Sequence, residues 1–104
     1  MKHIHYLNEK TEEITESGAT GITLRTVIGE RDGAPNFSMR IISFEQGGRS
    51  PNHSHNYEHE IYVMNGCGTV EVDGKIADLR AGDIVYVPPN TDHCFKASDP
   101  MEIV

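Results

Sequence analysis

His53-Ser54-His55-Asn56-Tyr57-Glu58-His59-Glu60-Ile61-Tyr62-Val63 packs three imidazoles into one short segment and then passes into an alternating apolar run. A fourth, His93, follows the turn signal Pro88-Pro89-Asn90. Imidazole nitrogen suits Mn, Fe, Co, Ni, Cu and Zn, whereas oxygen-only sites suit Mg or Ca, so the pattern points to one divalent transition ion or zinc per chain. His53 and His55 are spaced for a β-strand, where alternate side chains leave the same face. His59 needs a bend. A straight strand rising roughly 3.3 Å per residue would carry it about 20 Å from His53, far beyond bonds of about 2 Å to a shared ion. The bend is expected at Asn56-Tyr57-Glu58. Beyond it, alternation puts His59, Ile61 and Val63 on one face and Glu60 and Tyr62 on the other, so the histidine goes with the buried side. Glu58 and Glu60 stand as rival ligands, because carboxylates also bind such metals.

Working outward, glycine and proline punctuate short alternating runs, and long helical patterns are missing. The class is all-β. Strands are expected at Gly21–Ile28, Asn36–Glu45, Glu60–Met64, Thr69–Val72, Lys75–Leu79, Ile84–Val87 and His93–Lys96. Asp73-Gly74 favours a type I′ hairpin, whose two central residues both need positive φ. Ala81-Gly82-Asp83 reads as a tight turn, and Pro88-Pro89-Asn90 ends a strand. Only Asn8 to Ser17 suggests a helical turn, with Glu9, Glu12, Glu13 and Glu16 as an acidic, solvated patch that has no catalytic part. Short strands at this spacing make a barrel or sandwich.

At 104 residues the chain is the size of one domain with one modest core. Acidic residues outnumber basic ones 16 to 9 and the net charge is -7, which argues against a nucleic-acid backbone or an anionic membrane as partner. No run is long enough to span a bilayer, and the first residues lack the apolar stretch of a secretory signal, so the expected address is cytoplasmic. Cys67 and Cys94 have no metal-type spacing and are too few for a disulfide framework; they read as free thiols. His3 and His5 have no companion ligands and read as surface residues. Tyr57, Tyr62 and Tyr86 read as packing or rim residues, and Met39 and Met64 as core.

The residues between Gly47 and Ala97 resemble those of the cupins, small double-stranded β-helix (jelly-roll) barrels. The first cupin motif, G-x5-H-x-H-x(3,4)-E-x6-G, is matched by Gly47, His53, His55, His59 in place of glutamate, and Gly66. The second, G-x5-P-x-G-x2-H-x3-N, is matched by Gly82, Pro88, Asn90 in place of glycine, His93, and Ala97 in place of asparagine. Residues 1–104 are thus expected to form a single cupin domain, with motif 1 at 47–66 and motif 2 at 82–97. His59 for glutamate, with Ala34-Pro35-Asn36-Phe37-Ser38-Met39-Arg40 before the motif, makes the chain similar to small four-histidine, manganese-containing cupins. Asn tolerates left-handed backbone, so Asn90 for glycine is a mild change. The chain ends at Glu102-Ile103-Val104, where relatives continue along a final strand, so a pocket wall there is expected to be short or missing.

The resemblance implies His53, His55, His59 and His93 as ligands of Mn, with Fe, Ni, Co, Cu or Zn as alternatives. Four neutral imidazoles leave the ion's double charge uncompensated, which favours anionic ligands. The resemblance further implies a small metalloenzyme carrying out oxygenation or peroxide-dependent oxidation of a small organic substrate. The alternatives are a non-catalytic module that binds a small molecule or stores metal, and a zinc site that only braces the barrel. Ile61, Val63 and Phe95 share strand parity with His59 or His93 and are expected in the pocket. An inward Arg40 would bind a carboxylate substrate; an outward one would sit on the sheet surface or in a dimer contact. A homodimer is expected from the resemblance and from open sheet edges.

Overall fold

The computed structural model describes residues 1–104. Nine strands run in order: β1 (Glu12–Glu13), β2 (Thr20–Ile28), β3 (Met39–Arg49), β4 (His59–Asn65), β5 (Cys67–Val72), β6 (Lys75–Arg80), β7 (Ile84–Val87), β8 (His93–Ala97) and β9 (Met101–Ile103). The only helical pieces are single 3-10 turns at Tyr6–Asn8 and Glu30–Asp32. The all-β class expected above is what the chain adopts.

All strands belong to one antiparallel sheet ordered β6-β5-β8-β3-β9-β4-β7, with β2 also on β3 and β1 on β2. The sheet curls until its edge strands β6 and β7 flank a common cleft, lined from both sides by Val70, Val72, Leu79 and Val85. Strand alternation turns one residue in two toward the concave side, where Ile22, Phe44, Ile61, Val63, Val70, Leu79, Val87, Phe95, Ala97, Met101 and Ile103 form the core. Val63 and Met101 are fully shielded from solvent, and burial of each side chain contributes about 1.5–3 kcal/mol.

Two turns follow the expected chemistry. Asp73 and Gly74 have φ of 51° and 77° between the paired residues Val72 and Lys75, the hairpin that Asp-Gly favours. Asn90 has φ 59°, the left-handed conformation that the second motif gives to glycine.

Two expectations need correction. Glycine pairs do not end β3 at Glu45: the strand runs on through Gly47 and Gly48 to Arg49, and a register shift between Thr20 and Ile22 absorbs the extra residues as a bulge. A Cβ on Gly48 would sit 2.6 Å from the carbonyl oxygen of Gly21, so the bulge needs glycine to let the two backbones approach. The helical turn expected in Asn8 to Ser17 is replaced by a 3-10 turn ending at Asn8 and the short strand β1, which takes the free edge of β2 while Ile14 packs on the core. Its glutamates are also more engaged than a solvated patch. Glu9 bridges Lys2 at 3.1 Å and Arg31 at 2.7 Å, and Glu16 meets His53.

At the C-terminus, where a short or missing wall was expected, the chain forms a short strand of three residues in the middle of the sheet, β9, paired with β3 on one side and β4 on the other. Met101 and Ile103 enter the core, and Val104 exchanges backbone hydrogen bonds with Tyr62 at 2.9 and 3.0 Å. Cys67 and Cys94 are free thiols, as expected. No helix is long and apolar enough to cross a membrane.

Candidate metal centre

Backbone pairing, more than side-chain contact, brings the separate histidine segments together. His53 and His93 oppose each other in an isolated antiparallel bridge and exchange both hydrogen bonds, at 3.2 Å (His53 N–H to His93 O) and 2.9 Å (His93 N–H to His53 O). Directly opposed residues project to the same side of a sheet, and the two rings lie 5.0 Å apart. The N–H of the left-handed Asn90 donates to the carbonyl of His55, tying the turn before β8 to the first histidine segment. The expected bend is present at Asn56 and Tyr57. After it, His59 opens β4 opposite Val87 of β7, with Ile61 and Val63 buried on the same face. Glu58 and Glu60 are exposed, Glu60 on the opposite face of β4.

One ring nitrogen from each of His53, His55 and His93 lies within 4.8 Å of the others. His59 stands slightly back from this trio, its ring 5.2 Å from those of both His55 and His93. Two hydrogen bonds settle which nitrogen carries the proton. Nδ1 of His53 lies 2.8 Å from a Glu16 carboxylate oxygen and Nδ1 of His93 lies 3.0 Å from the carbonyl of Thr91. An ionised carboxylate or a carbonyl only accepts, so each Nδ1 donates, and in the neutral ring, the form that binds a metal, Nε2 keeps the lone pair. Nε2 of His59 is shielded from solvent and has no hydrogen-bond partner. An unmet buried polar atom costs about 1–3 kcal/mol, so such atoms are rare outside sites that meet a ligand. The donor set and this orphan nitrogen both fit a bound transition ion.

The electrostatics favour the neutral form of His55 and His59. Burial first, then the neighbouring His53, His93 and Arg40 charges, push His55 below the ordinary imidazole range. Burial, then His93, His55 and Arg40, bring His59 down to about 4. A neutral imidazole is the form that donates a lone pair to a metal.

Arg40 is half-buried on β3. It pairs with Thr26, and its side of the strand is that of Ile42 and Phe44, which face Leu24 and Ile22 and pack on or within the core. Sequence left two faces open for it, and register selects the concave one. The salt bridges of the molecule involve Lys2, Arg31 and His53, leaving Arg40 without a carboxylate partner. Ile61, Val63 and Phe95 are 9%, 0% and 5% exposed and form a dry floor on the strands that carry His59 and His93. The cleft between β6 and β7 has no histidine in its lining, so this cleft and the chemistry-bearing side chains lie apart.

Sequence reasoning missed Glu16, Thr91 and Asn90 as supports of the histidines. The Asn90 substitution within the second motif was the one available signal. Glu16 lies 37 residues from His53, and no spacing rule joins them.

Comparison with known proteins bears on the family and the fold. Residues 40–104 match the family described as "Cupin domain". Acireductone dioxygenase from Bacillus cereus is 26% identical over 100 residues, covering 90% of this chain and 56% of the relative, so the chain spans about half the length of the curated relatives it matches. The polyketide cyclase RemF from Streptomyces resistomycificus superposes with a TM-score of 0.90 at 30% identity, over 99% of this chain and 75% of that one. A predicted oxalate decarboxylase from Thermotoga maritima superposes with a TM-score of 0.85 over 98% of this chain and 94% of its own; at 19% identity that likeness concerns the fold alone. With the family matched over most of its length and the same curled sheet found in its structural relatives, the chain belongs to the cupin domain family.

Proposed function

We propose that residues 1–104 act as a single cupin domain holding one divalent transition metal, Mn before Fe, on His53, His55, His59 and His93. Its reaction is the oxygenation or peroxide-dependent oxidation of a small, anionic, oxygen-bearing organic molecule. The observation that carries the reading is the convergence of His53, His55 and His93, with the ring of His59 and its partnerless buried Nε2 beside them. A relative named as a dioxygenase supports oxygen chemistry. When bound, the metal supplies a Lewis acid and an electron relay for substrate and oxidant.

The chain's own residues do the rest. Glu16 and the Thr91 carbonyl hold the Nδ1 protons of His53 and His93, so these rings present Nε2. Arg40 offers an unpaired guanidinium beside the rings and binds an enolate or carboxylate oxygen of the substrate. Ile61, Val63 and Phe95 keep water from below the site. The same reading includes a homodimer, which would cover the exposed Tyr62, Ile84 and Tyr86 on the outer face of β4 and β7.

The test has two arms. Wild-type protein should take up about one metal per chain, and His55→Ala and His93→Ala should retain almost none by elemental analysis; full retention in both variants would remove the proposed site. Oxygen or peroxide consumption by the Mn- and Fe-loaded protein with phenols, diketones and enols should depend on that metal. Tight small-molecule binding without consumption would identify a binding module instead.

A further inference from the structure

We propose that Glu16 is a positioning residue for the histidine site. Its carboxylate fixes the ring and tautomer of His53, so that metal affinity depends on a side chain outside both cupin motifs. This rests on the reading of His53, His55, His59 and His93 as metal ligands. The contact is 2.8 Å from Glu16 Oε2 to His53 Nδ1. An ionised carboxylate cannot donate, so Nδ1 carries a proton, and in the neutral ring that binds a metal the lone pair is on Nε2.

The segment that delivers Glu16 is held at several points. β1 pairs Glu12 with Leu24 and Glu13 with Thr23 of β2, and Ile14 and Ala19, on either side of Glu16, pack against the core. The Ala19 N–H donates to the Glu16 carbonyl at 3.0 Å, closing a turn completed by Gly18 at φ 93°. That turn rests against Pro51, two residues before His53: a Cβ on Gly18 would meet Pro51 Cα at 3.7 Å. The tether is therefore short at both ends of the contact.

An ordinary surface ion pair would account for the same distance, since the side chains of Glu16 and His53 are 54% and 29% exposed, and such pairs contribute little to stability. What separates the two roles is the other nitrogen of His53. It belongs to a set in which His93 is oriented by a neutral carbonyl and no ligand brings a negative charge. Glu16 supplies that charge at one remove, through the ring, and makes His53 the more basic donor. The negative charge that the usual motif places in the fourth ligand reaches this site from the N-terminal segment.

The test is metal affinity, read by competition between the protein and a fluorescent chelator for Mn(II) and for Co(II), together with the visible spectrum of the Co(II) form. Glu16→Ala is expected to weaken binding about 10- to 100-fold and to shift the Co(II) bands. Glu16→Gln keeps an acceptor without the charge and should lose less; it carries the test if the alanine variant does not fold. In a His53→Ala background the Glu16 substitution should change affinity less than twofold, because the ring through which it acts is gone. Unchanged affinity and spectrum in both Glu16 variants, with metal lost from His55→Ala, would overturn the inference and leave the site standing. An equal loss with and without His53 would reduce Glu16 to a general surface charge. Wild-type affinity in His55→Ala and His93→Ala would instead overturn the site itself.

Discussion

Glu102 and His59 lie on adjacent strands, β9 and β4, and solve the problem of a half-buried ionisable group in opposite ways. Glu102 is saturated. Tyr6 Oη and Asn65 Nδ2 donate to one carboxylate oxygen at 2.8 and 2.9 Å, and Ser43 Oγ donates to the other at 2.7 Å. Burial would raise its pKa, but the Asn65, Ser43 and Tyr6 donors outweigh that effect and hold the carboxyl below its ordinary range. At His59 nothing offsets burial: the pKa falls to about 4 and Nε2 has no partner. A complete hydrogen-bond network marks a polar group recruited for the fold. An incomplete one, ringed by further lone-pair donors, marks a group kept ready for something the chain does not itself supply.

The largest effect that would sharpen this contrast is metal loading. Metal at 100 times its dissociation constant should stabilise the wild-type protein by about 2.7 kcal/mol. The rise in melting temperature should vanish in His93→Ala and persist in Glu102→Gln. A metal-dependent rise retained in His93→Ala would break the comparison. Next in size, Glu102→Ala strands three donors and should cost about 1–3 kcal/mol in denaturant unfolding, because the network is partly solvated. Glu102→Gln, which keeps an acceptor, should cost less.

The pH dependence of the metal-free protein separates the two regions further. Both folded-state pKa values are depressed, so in each window the unfolded chain binds more protons and stability falls as pH falls. The His59 contribution should fade as pH drops from 6.5 to about 4, and that of Glu102 only below the ordinary carboxylate value of 4.5. Equilibrium unfolding across pH 3–8 should show His59→Gln flattening the upper window and Glu102→Gln the lower. The smallest expected change is Asn90→Gly, within about 0.5 kcal/mol, because Asn already tolerates the φ of 59° found there. A much larger loss would show the Asn90 side chain, and not only its N–H, supporting the His55 segment.

Much of the architecture was legible because its signals are local. Alternation in His59 to Val63, the Asp73-Gly74 hairpin and the run Ile84 to Val87 each carry their own period or turn chemistry, and each forms where expected. β1 and β9 were not legible. Two and three residues are too few to show a period, and both strands exist because a long neighbour offers an open edge: β2 for Glu12–Glu13, and β3 with β4 for Met101–Ile103. The bulge at Gly47-Gly48 was hidden for the opposite reason, since glycine marks both strand ends and close backbone approach.

By itself the sequence determined the all-β class, the family motifs and the identity of the imidazoles, because residue type, two-residue periodicity and turn preference are written in adjacent positions. Only the tertiary structure decided what surrounds those imidazoles. It placed Arg40 on the concave face, laid Glu16 on His53, set Thr91 under His93 and left Nε2 of His59 without a partner. Each of these depends on strand register or on a contact between distant segments. Shifting a strand by one residue would send every side chain to the other face, and no local pattern records that choice.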